Sequence, residues 1–373
     1  MKYIALKDVC KINMGQSPGS SSYNDKEDGI PIFQGNADFG EKYPVTRIWC
    51  NAPIKIAHPE DILISVRAPI GALNFAKEEC CIGRGLAALT PDRSKVSLEF
   101  IYWLLKGKNV ELNSKGTGST FKAISRKVLE ETKVPVIDFD KQHKYAEIIE
   151  KIYCIIQQRK GELLALDELI KSRFVEMFGD PVANPKGLIK KTLPELGEFG
   201  RGVSKHRPRN DEALLGGPYP LIQTGDVANS GLYITEYHST YSELGLQQSK
   251  MWNEGTLCIT IAANIAKTAI LGFNACFPDS IVGFNANEYS NNVFVHYWFS
   301  FFQEILEAQA PESAQKNINL KILSELKVIV PEIQEQNEFE AFVHQVDKSK
   351  AVIQKSLEET QQLFDSLMQK FFG

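Results

Sequence analysis

The sequence predicts a mixed α/β fold of the α+β kind, tandem-duplicated. Two globular domains are separated by two long helices packed as an antiparallel coiled coil, with a pseudo-twofold relation between the halves. Three observations lead there. Residues 121–179 align without a gap on residues 315–373, at an offset of 194, with 14 identities in 59 positions, which makes the chain an internal repeat. Each copy closes on an amphipathic stretch long enough for a helix of some ten turns. Ahead of each lies a front of short apolar runs cut by Gly, Pro, Asn and Ser, the signature of strands joined by tight turns.

The repeat is sharpest at its ends. Lys122 matches Lys316, Ile124 matches Ile318, Leu129 matches Leu323, Val134 matches Val328, Gln142 matches Gln336, Leu163 matches Leu357, and Phe178-Gly179 matches Phe372-Gly373. The fronts match loosely, "IPIFQGNADFG" beside "YPLIQTGDVANSG" and "DILISVRAPIGALNFA" beside "GTLCITIAANIAKTAILGF", with offsets that drift by several residues. Alike ends and unlike fronts imply one shared scaffold carrying two divergent surfaces.

In order, the chain is expected to divide into a first domain, 1–140, a central spacer helix, 141–180, a linker, 181–187, a second domain, 188–331, and a C-terminal spacer helix, 332–373. In the first domain "IPIF" and "DILISV" read as strands and "SLEFIYWLLK" as a helix; "YPLIQ", "TLCITIA" and "VFVHYWFSFFQEIL" take those places in the second. Tyr102, Trp103, Tyr297 and Trp298 sit at matched places in the two helical patches and are expected in the cores.

The spacer helices follow from periodicity. Ile149, Ile152, Ile156, Leu163, Leu166, Ile170 and Met177 recur at threes, fours and sevens, as do Val343, Val346, Ile353, Leu357, Phe364, Leu367 and Phe371. That is the seam of a coiled coil. Seam positions polar in one copy are apolar in the other: Arg159 against Ile353, Arg173 against Leu367, Lys350 against Ile156. Neither stripe is complete alone, so the two helices are expected to pair. Gly161 weakens the first by about 1 kcal/mol relative to Ala. A helix from Gln142 to Phe178 would be about 55 Å long.

Composition narrows the function. At 373 residues the chain exceeds a single ordinary core, and 43% hydrophobic with 24% charged residues describe a globular protein. No apolar run reaches the roughly 18 residues of a membrane span, and "MKYIALKDVCKINMG" lacks the apolar core of a signal peptide, so a cytoplasmic protein is expected. Seven cysteines without a C-x-x-C pair give no framework for disulfides or zinc. Neither a P-loop nor a G-x-S-x-G elbow nor an N-P-P-Y-like tetrapeptide is present. One pattern resembles a magnesium nuclease: Asp92 with Glu131 and Lys133, and Asp279 with Glu325 and Lys327. The net charge of −4 is uneven. Residues 1–140 carry nineteen cations against seventeen carboxylates, while 331–373 carry four against eight, so the globular parts are near neutral and free to present a basic face. "GRGVSKHRPR" at 200–209 is the densest basic loop.

Two unlike α/β fronts, one followed by "GTGSTFKAISRKVLEETKVPV…KQ" and the other by "ESAQKNINLKILSELKVIVP…EQ", each leading into a long helix, resemble the specificity (S) subunit of type I restriction-modification enzymes. Thr117, Ser119, Lys122, Ile124, Leu129 and Gln142 fit the pattern in the first copy, and Lys316, Ile318, Leu323, Pro331 and Gln336 in the second. Pro135 departs from it, standing two positions earlier than alignment with Pro331 requires. The resemblance spans essentially the whole chain.

It implies that each globular domain is a target-recognition domain for one half of a bipartite site in double-stranded DNA. The helices would set the half-site spacing, on the order of one to one and a half turns of B-DNA, and dock two methyltransferase (M) subunits. The chain itself would be non-catalytic and bind no cofactor or metal. S-adenosylmethionine, ATP and magnesium would belong to the M and restriction (R) subunits that carry out DNA methylation and phage defence. Implied DNA-contacting residues are Gln16, Ser17, Gln34, Asn36, Arg47, Arg67, Arg84, Lys115, Thr117 and Lys122 in the first domain. In the second they are Lys205, His206, Arg207, Arg209, Gln223, Thr224, Asn264, Lys267, Gln315, Lys316 and Asn317. Ile149, Ile152, Ile156, Leu163, Leu166, Ile170, Val343, Val346, Ile353, Leu357, Phe364 and Leu367 would carry helix pairing and subunit docking. A magnesium-dependent DNA endonuclease and a duplicated scaffold that does not bind DNA are the alternatives.

Overall fold

The computed structural model describes residues 2–118, 122–262, 265–309 and 320–373. Ser119, Asn264, Gln315, Lys316, Asn317 and Ile318 lie outside the described residues. The four longest helices among the described residues are α1 (Leu98–Gly107), α2 (Phe139–Phe178), α3 (Asn292–Gln309) and α4 (Ile333–Phe372). The long helices α2 and α4 hold 40 residues each, and α2 runs unbroken through the exposed Gly161. The chain forms two compact units, residues 1–160 with 354–373, and residues 161–353. Each long helix thus lends one half to each unit.

The first unit is built on β1 (Tyr3–Ala5), β2 (Cys10–Met14), β3 (Ile30–Phe33), β4 (Ile62–Ser65), β5 (Leu73–Phe75), β6 (Cys80–Ile82), β7 (Leu86–Pro91) and β8 (Lys133–Pro135). An antiparallel sheet runs β2-β7-β4-β5. β4 is central and buried along its whole length, which is why "ILIS" reads as an unbroken apolar run rather than an alternating one. β3 pairs parallel with β6, and β1 antiparallel with β8. α1 packs its buried face on this core; Ser97 caps it, the Phe100 N–H donating to Ser97 Oγ at 3.1 Å.

The second unit repeats the plan with β9 (Lys190–Thr192), β10 (Gly197–Arg201), β11 (Leu215–Leu221), β12 (Leu257–Thr260), β13 (Thr268–Leu271), β14 (Ala275–Cys276), β15 (Ile281–Ala286) and β16 (Lys327–Ile329). Its main sheet runs β10-β15-β12-β13, with the two-residue strand Tyr233–Ile234 added parallel to β13. β11 pairs parallel with β14, and β9 antiparallel with β16.

In both units the helix halves run antiparallel and close the core with aromatic rings. In the first, Tyr145 of α2 stacks on Phe371 of α4 at 4.0 Å, and Phe372 lies 5.3 Å from Phe100 of α1. In the second, Phe178 of α2 lies 5.1 Å from Phe294 of α3 and 5.7 Å from Phe339 of α4. Phe100 and Phe294 are repeat equivalents, and so are Phe372 and Phe178. The helix that ends the first copy therefore finishes the core of the second front, and the helix that ends the second copy finishes the core of the first.

Ile149, Ile156, Ile170, Val343 and Val346 are buried, while Ile152, Leu163, Leu166, Ile353, Leu357, Phe364 and Leu367 are half-buried. The polar seam positions find their own partners. Lys350 reaches Asp167 at 2.6 Å, and Arg173 pairs with Glu176 at 2.8 Å with its guanidinium 5.7 Å from the Phe342 ring.

One device locks the root of each long helix. Gln142, 3% exposed, accepts the Ser97 N–H at 2.9 Å and donates to the carbonyls of Lys95 and Ile137. Gln336, 0% exposed, accepts the Asn291 N–H at 3.2 Å and donates to the carbonyls of Tyr289 and Pro331. All three partners correspond at the repeat offset of 194. A buried amide that meets three backbone groups satisfies an otherwise orphaned helix entry.

Two expectations follow. Phe372→Ala opens a cavity in the first core and is expected to cost about 3–5 kcal/mol. Hydrogen exchange should rise across α1 while α3 keeps its protection; equal loosening of both helices, or of neither, contradicts the unit assignment. The second concerns His296 on α3, which shares a 3.0 Å hydrogen bond with Thr268 Oγ1. Burial, reinforced by the Lys350 cation, pushes its pKa down to about 4. The unfolded chain therefore takes up that proton first, and the stability contribution is lost as pH falls from 6.5 towards 4. His296→Asn should flatten this decline in denaturation midpoints compared between pH 7 and pH 4.5, and an unchanged slope would remove His296 as its source.

Candidate nucleic-acid interface

In the first unit a rim forms where three strand ends converge on the turn Gly83-Arg84-Gly85 between β6 and β7. Beyond β2 the chain is tied to this turn: Gly15 N–H donates to Leu86 O and Gln16 N–H to Ile82 O, both at 2.9 Å. Beyond β3, Gly83 N–H donates to Phe33 O at 2.8 Å, and Asp38 takes the N–H groups of Gln34 and Gly35. Arg84 N–H donates to Ser17 Oγ at 3.2 Å. The packing is so close that a Cβ on Gly15 would stand 2.1 Å from Gly83 O, so this crossing needs glycine. The turn then reaches β4, since Val66 N–H donates to Gly85 O. Next to it Arg67 and Thr117 both bridge Ala123, and Ala68 N–H donates to Lys122 O.

Gln16, Ser17, Gln34, Asn36, Arg84, Arg67, Thr117 and Lys122 are thereby carried on one connected backbone frame. Gln16, Gln34, Arg67, Arg84, Thr117 and Lys122 are exposed on it, and Ser17 and Asn36 are half-buried. Lys115 sits beside this group and is held by Glu111 at 2.6 Å. Arg47 is exposed on the loop before the short strand Trp49–Cys50, and among the described residues no bond ties it to the frame.

The second unit builds the same frame. Gly202 N–H donates to Ile281 O and Val203 N–H to Phe277 O; Ile261 N–H donates to Ser280 O. Beyond β11, Gln223 N–H donates to Asp226 Oδ2 at 2.8 Å, where Gln34 N–H uses Asp38. Gln223 and Gln34 thus occupy one place, with Thr224 following Gln223. The frame, however, displays different chemistry. Val203 stands where Gln16 stands, and Asp279 stands where Arg84 stands.

Asp279 draws in the basic loop. Arg209 reaches it at 2.5 Å and Arg207 at 3.7 Å, and Arg207 also donates to the carbonyls of Ser204 and His206. His206 shares a hydrogen bond with Asp211, and Gln248 Oε1 accepts the N–H groups of both Lys205 and His206. The two arginines stay about half exposed, 55% and 47%, so exchanging Asp279 for phosphate costs little. Lys267 is differently placed. It lies on the turn between β12 and β13, half-buried, with Nζ donating to Gln303 of α3 at 3.0 Å, a contact that holds it to the core side. The roles of Asp279 and Gln248 escape a reading from residue type, because the drifting offsets of the fronts hide their equivalents.

The nuclease pattern dissolves. Asp92 follows β7, whereas Asp279 precedes β15, so the two are not equivalent. The Asp92 carboxylate is held to a pKa of about 2 by the Ser94 hydroxyl and by Lys95, Glu131 pairs with Lys127, and Glu325 pairs with Lys321. Among the described residues no three His, Cys, Asp or Glu side chains are placed to hold a metal ion. Among them, too, no helix is long and apolar enough to cross a membrane.

Comparison with known proteins agrees with this doubled frame. The type I restriction modification DNA specificity domain matches twice, at residues 1–165 and 185–362. The putative type I restriction enzyme MjaX specificity subunit of Methanocaldococcus jannaschii is 42% identical over 152 residues, 41% of this chain and 36% of that protein. The match thus spans about a third of the archaeal subunit's length. The type I restriction enzyme EcoBI specificity subunit of Escherichia coli is 22% identical over 417 aligned positions, 99% of this chain and 85% of that one. In fold, the chain resembles the crystal structure of the type I restriction-modification S subunit from M. genitalium, with a TM-score of 0.62 at 16% identity, covering 100% of this chain and 96% of the other. With the domain present twice and little left uncovered, the chain belongs to the type I restriction-modification DNA specificity family.

Proposed function

We propose that each unit reads one half of a bipartite site in double-stranded DNA, the first through the rim around Arg84 and the second through the rim around Asp279. The observation that carries this reading is the pair of rims. One backbone frame occurs twice, held by corresponding hydrogen bonds, with polar side chains at its edge that differ between copies. A frame shared and an edge diverged is what two readers of two different sequences require, because phosphate contacts position a protein while base-edge contacts specify the sequence. Arg84 and Gln34 suit guanine and adenine edges in the first half-site; Gln223 with the released Arg207 and Arg209 suits the second. Arg47, Arg67, Lys122, Lys115 and Lys205 serve the phosphates.

The paired long helices set the spacing between half-sites and dock two methyltransferase subunits, with restriction subunits joining that assembly. The chain contributes recognition and no catalysis. S-adenosylmethionine, ATP and magnesium belong to its partners.

The test is selection of bound duplexes from a randomised pool by the chain assembled with its methyltransferase. Arg84→Ala should relax one half-site and Arg209→Ala the other, each weakening binding by about 1–3 kcal/mol. Unchanged selection and unchanged salt dependence for both variants would take the two rims out of the interface.

A further inference from the structure

The first unit carries a cavity of about 690 Å³ that neither rim uses. Its floor is Leu98, Trp103 and Ala146, all buried, where α1 meets the first half of α2. Aromatic rings wall it: Phe75 stacks on Tyr102 at 4.7 Å, Tyr153 meets Trp103 edge-on at 5.2 Å, and Tyr43 closes the outer side at 40% exposure. Five glutamates against two lysines line it, so its field is negative. Glu150 accepts the Trp103 indole N–H at 3.1 Å, Glu147 is engaged by Lys151 and Glu60 by Arg93. Glu41 and Glu99 are exposed and make no ion pair among the described residues.

The aromatic set already holds a cation that does not itself line the cavity. Lys106 Nζ stands 3.7 Å from the centroid of the Tyr153 ring and 4.8 Å from that of Trp103. Rings that bind one ammonium and line a cavity with unpaired carboxylates suit a second cation, since the ring quadrupole and the carboxylate both favour positive charge. The same negative field repels phosphate, which separates this face from the DNA rims. The apolar floor favours a cation delivered on a hydrocarbon stem over a free ion.

We propose that this pocket receives an arginine or lysine side chain of a partner polypeptide, the methyltransferase subunit, and so anchors that subunit on the first unit. The proposal rests on the reading that the chain docks methyltransferase subunits. The tip Glu41-Lys42-Tyr43, carried between the bridged residues Phe39 and Pro44 and held by Phe75 N–H donating to Lys42 O, forms the outer lip over the entering side chain.

The test is titration of the full chain with the methyltransferase encoded beside it, followed by calorimetry at two salt concentrations. The double variant Glu41→Gln with Glu99→Gln changes two exposed side chains outside the core, and its thermal midpoint should match the wild type. Its Kd should rise about tenfold, with a weaker salt dependence. Tyr43→Ala should raise Kd without altering the salt dependence. Wild-type affinity in both variants would overturn the pocket alone. Failure of the wild-type chain to bind the methyltransferase would overturn the docking reading, and the pocket with it.

Discussion

The closure of each core by the far end of a long helix is the constraint on which the rest depends. Phe178 completes the core that holds Phe294, and Phe372 completes the core that holds Phe100. The first unit is therefore discontinuous in sequence, and its last twenty residues arrive only after the second has been threaded. Loop-closure entropy grows slowly with length, so the cost of this long return is modest beside several buried aromatic rings. The matched glutamines Gln142 and Gln336 then fix how each helix leaves its own front. Together these contacts explain why the ends of the two copies remain alike while the fronts diverge.

Charge is sorted in the same spirit. A net charge of −4 hides a division between a rim of exposed arginines and lysines on the first unit and an acidic, aromatic cavity on that same unit. On the second unit a carboxylate, Asp279, pairs with two arginines of the basic loop. Exposed ion pairs of that kind contribute little stability. Their value is positional: they order a loop that is otherwise Gly- and Pro-punctuated.

Much of this was legible in the sequence, for physical reasons. The long helices follow from a seven-residue apolar period, and buried strands such as Ile62–Ser65 from short continuous apolar runs. The repeat makes Gln142 and Gln336 a matched pair, though only the fold shows that both bind corresponding backbone groups. The charge inversion between Arg84 and Asp279 was not legible. Corresponding residues lie 187 apart from Gly15 to Gly202 and 195 apart from Arg84 to Asp279, so the alignment that works for the helices misaligns the rims. At the offset that relates Gly15 to Gly202, Asp92 falls beside Asp279, although the fold places the two differently. For Lys267 the limit is simpler: residue type alone does not show that its amine donates to Gln303.

We infer that this one chain selects a split DNA sequence. Its most direct measurement is single-molecule mapping of methylated adenines in a host carrying the chain with its neighbouring methyltransferase, against a host lacking only the chain. A bipartite motif with a fixed gap that disappears on deletion is the expected result. A methylation pattern unchanged by the deletion would contradict it.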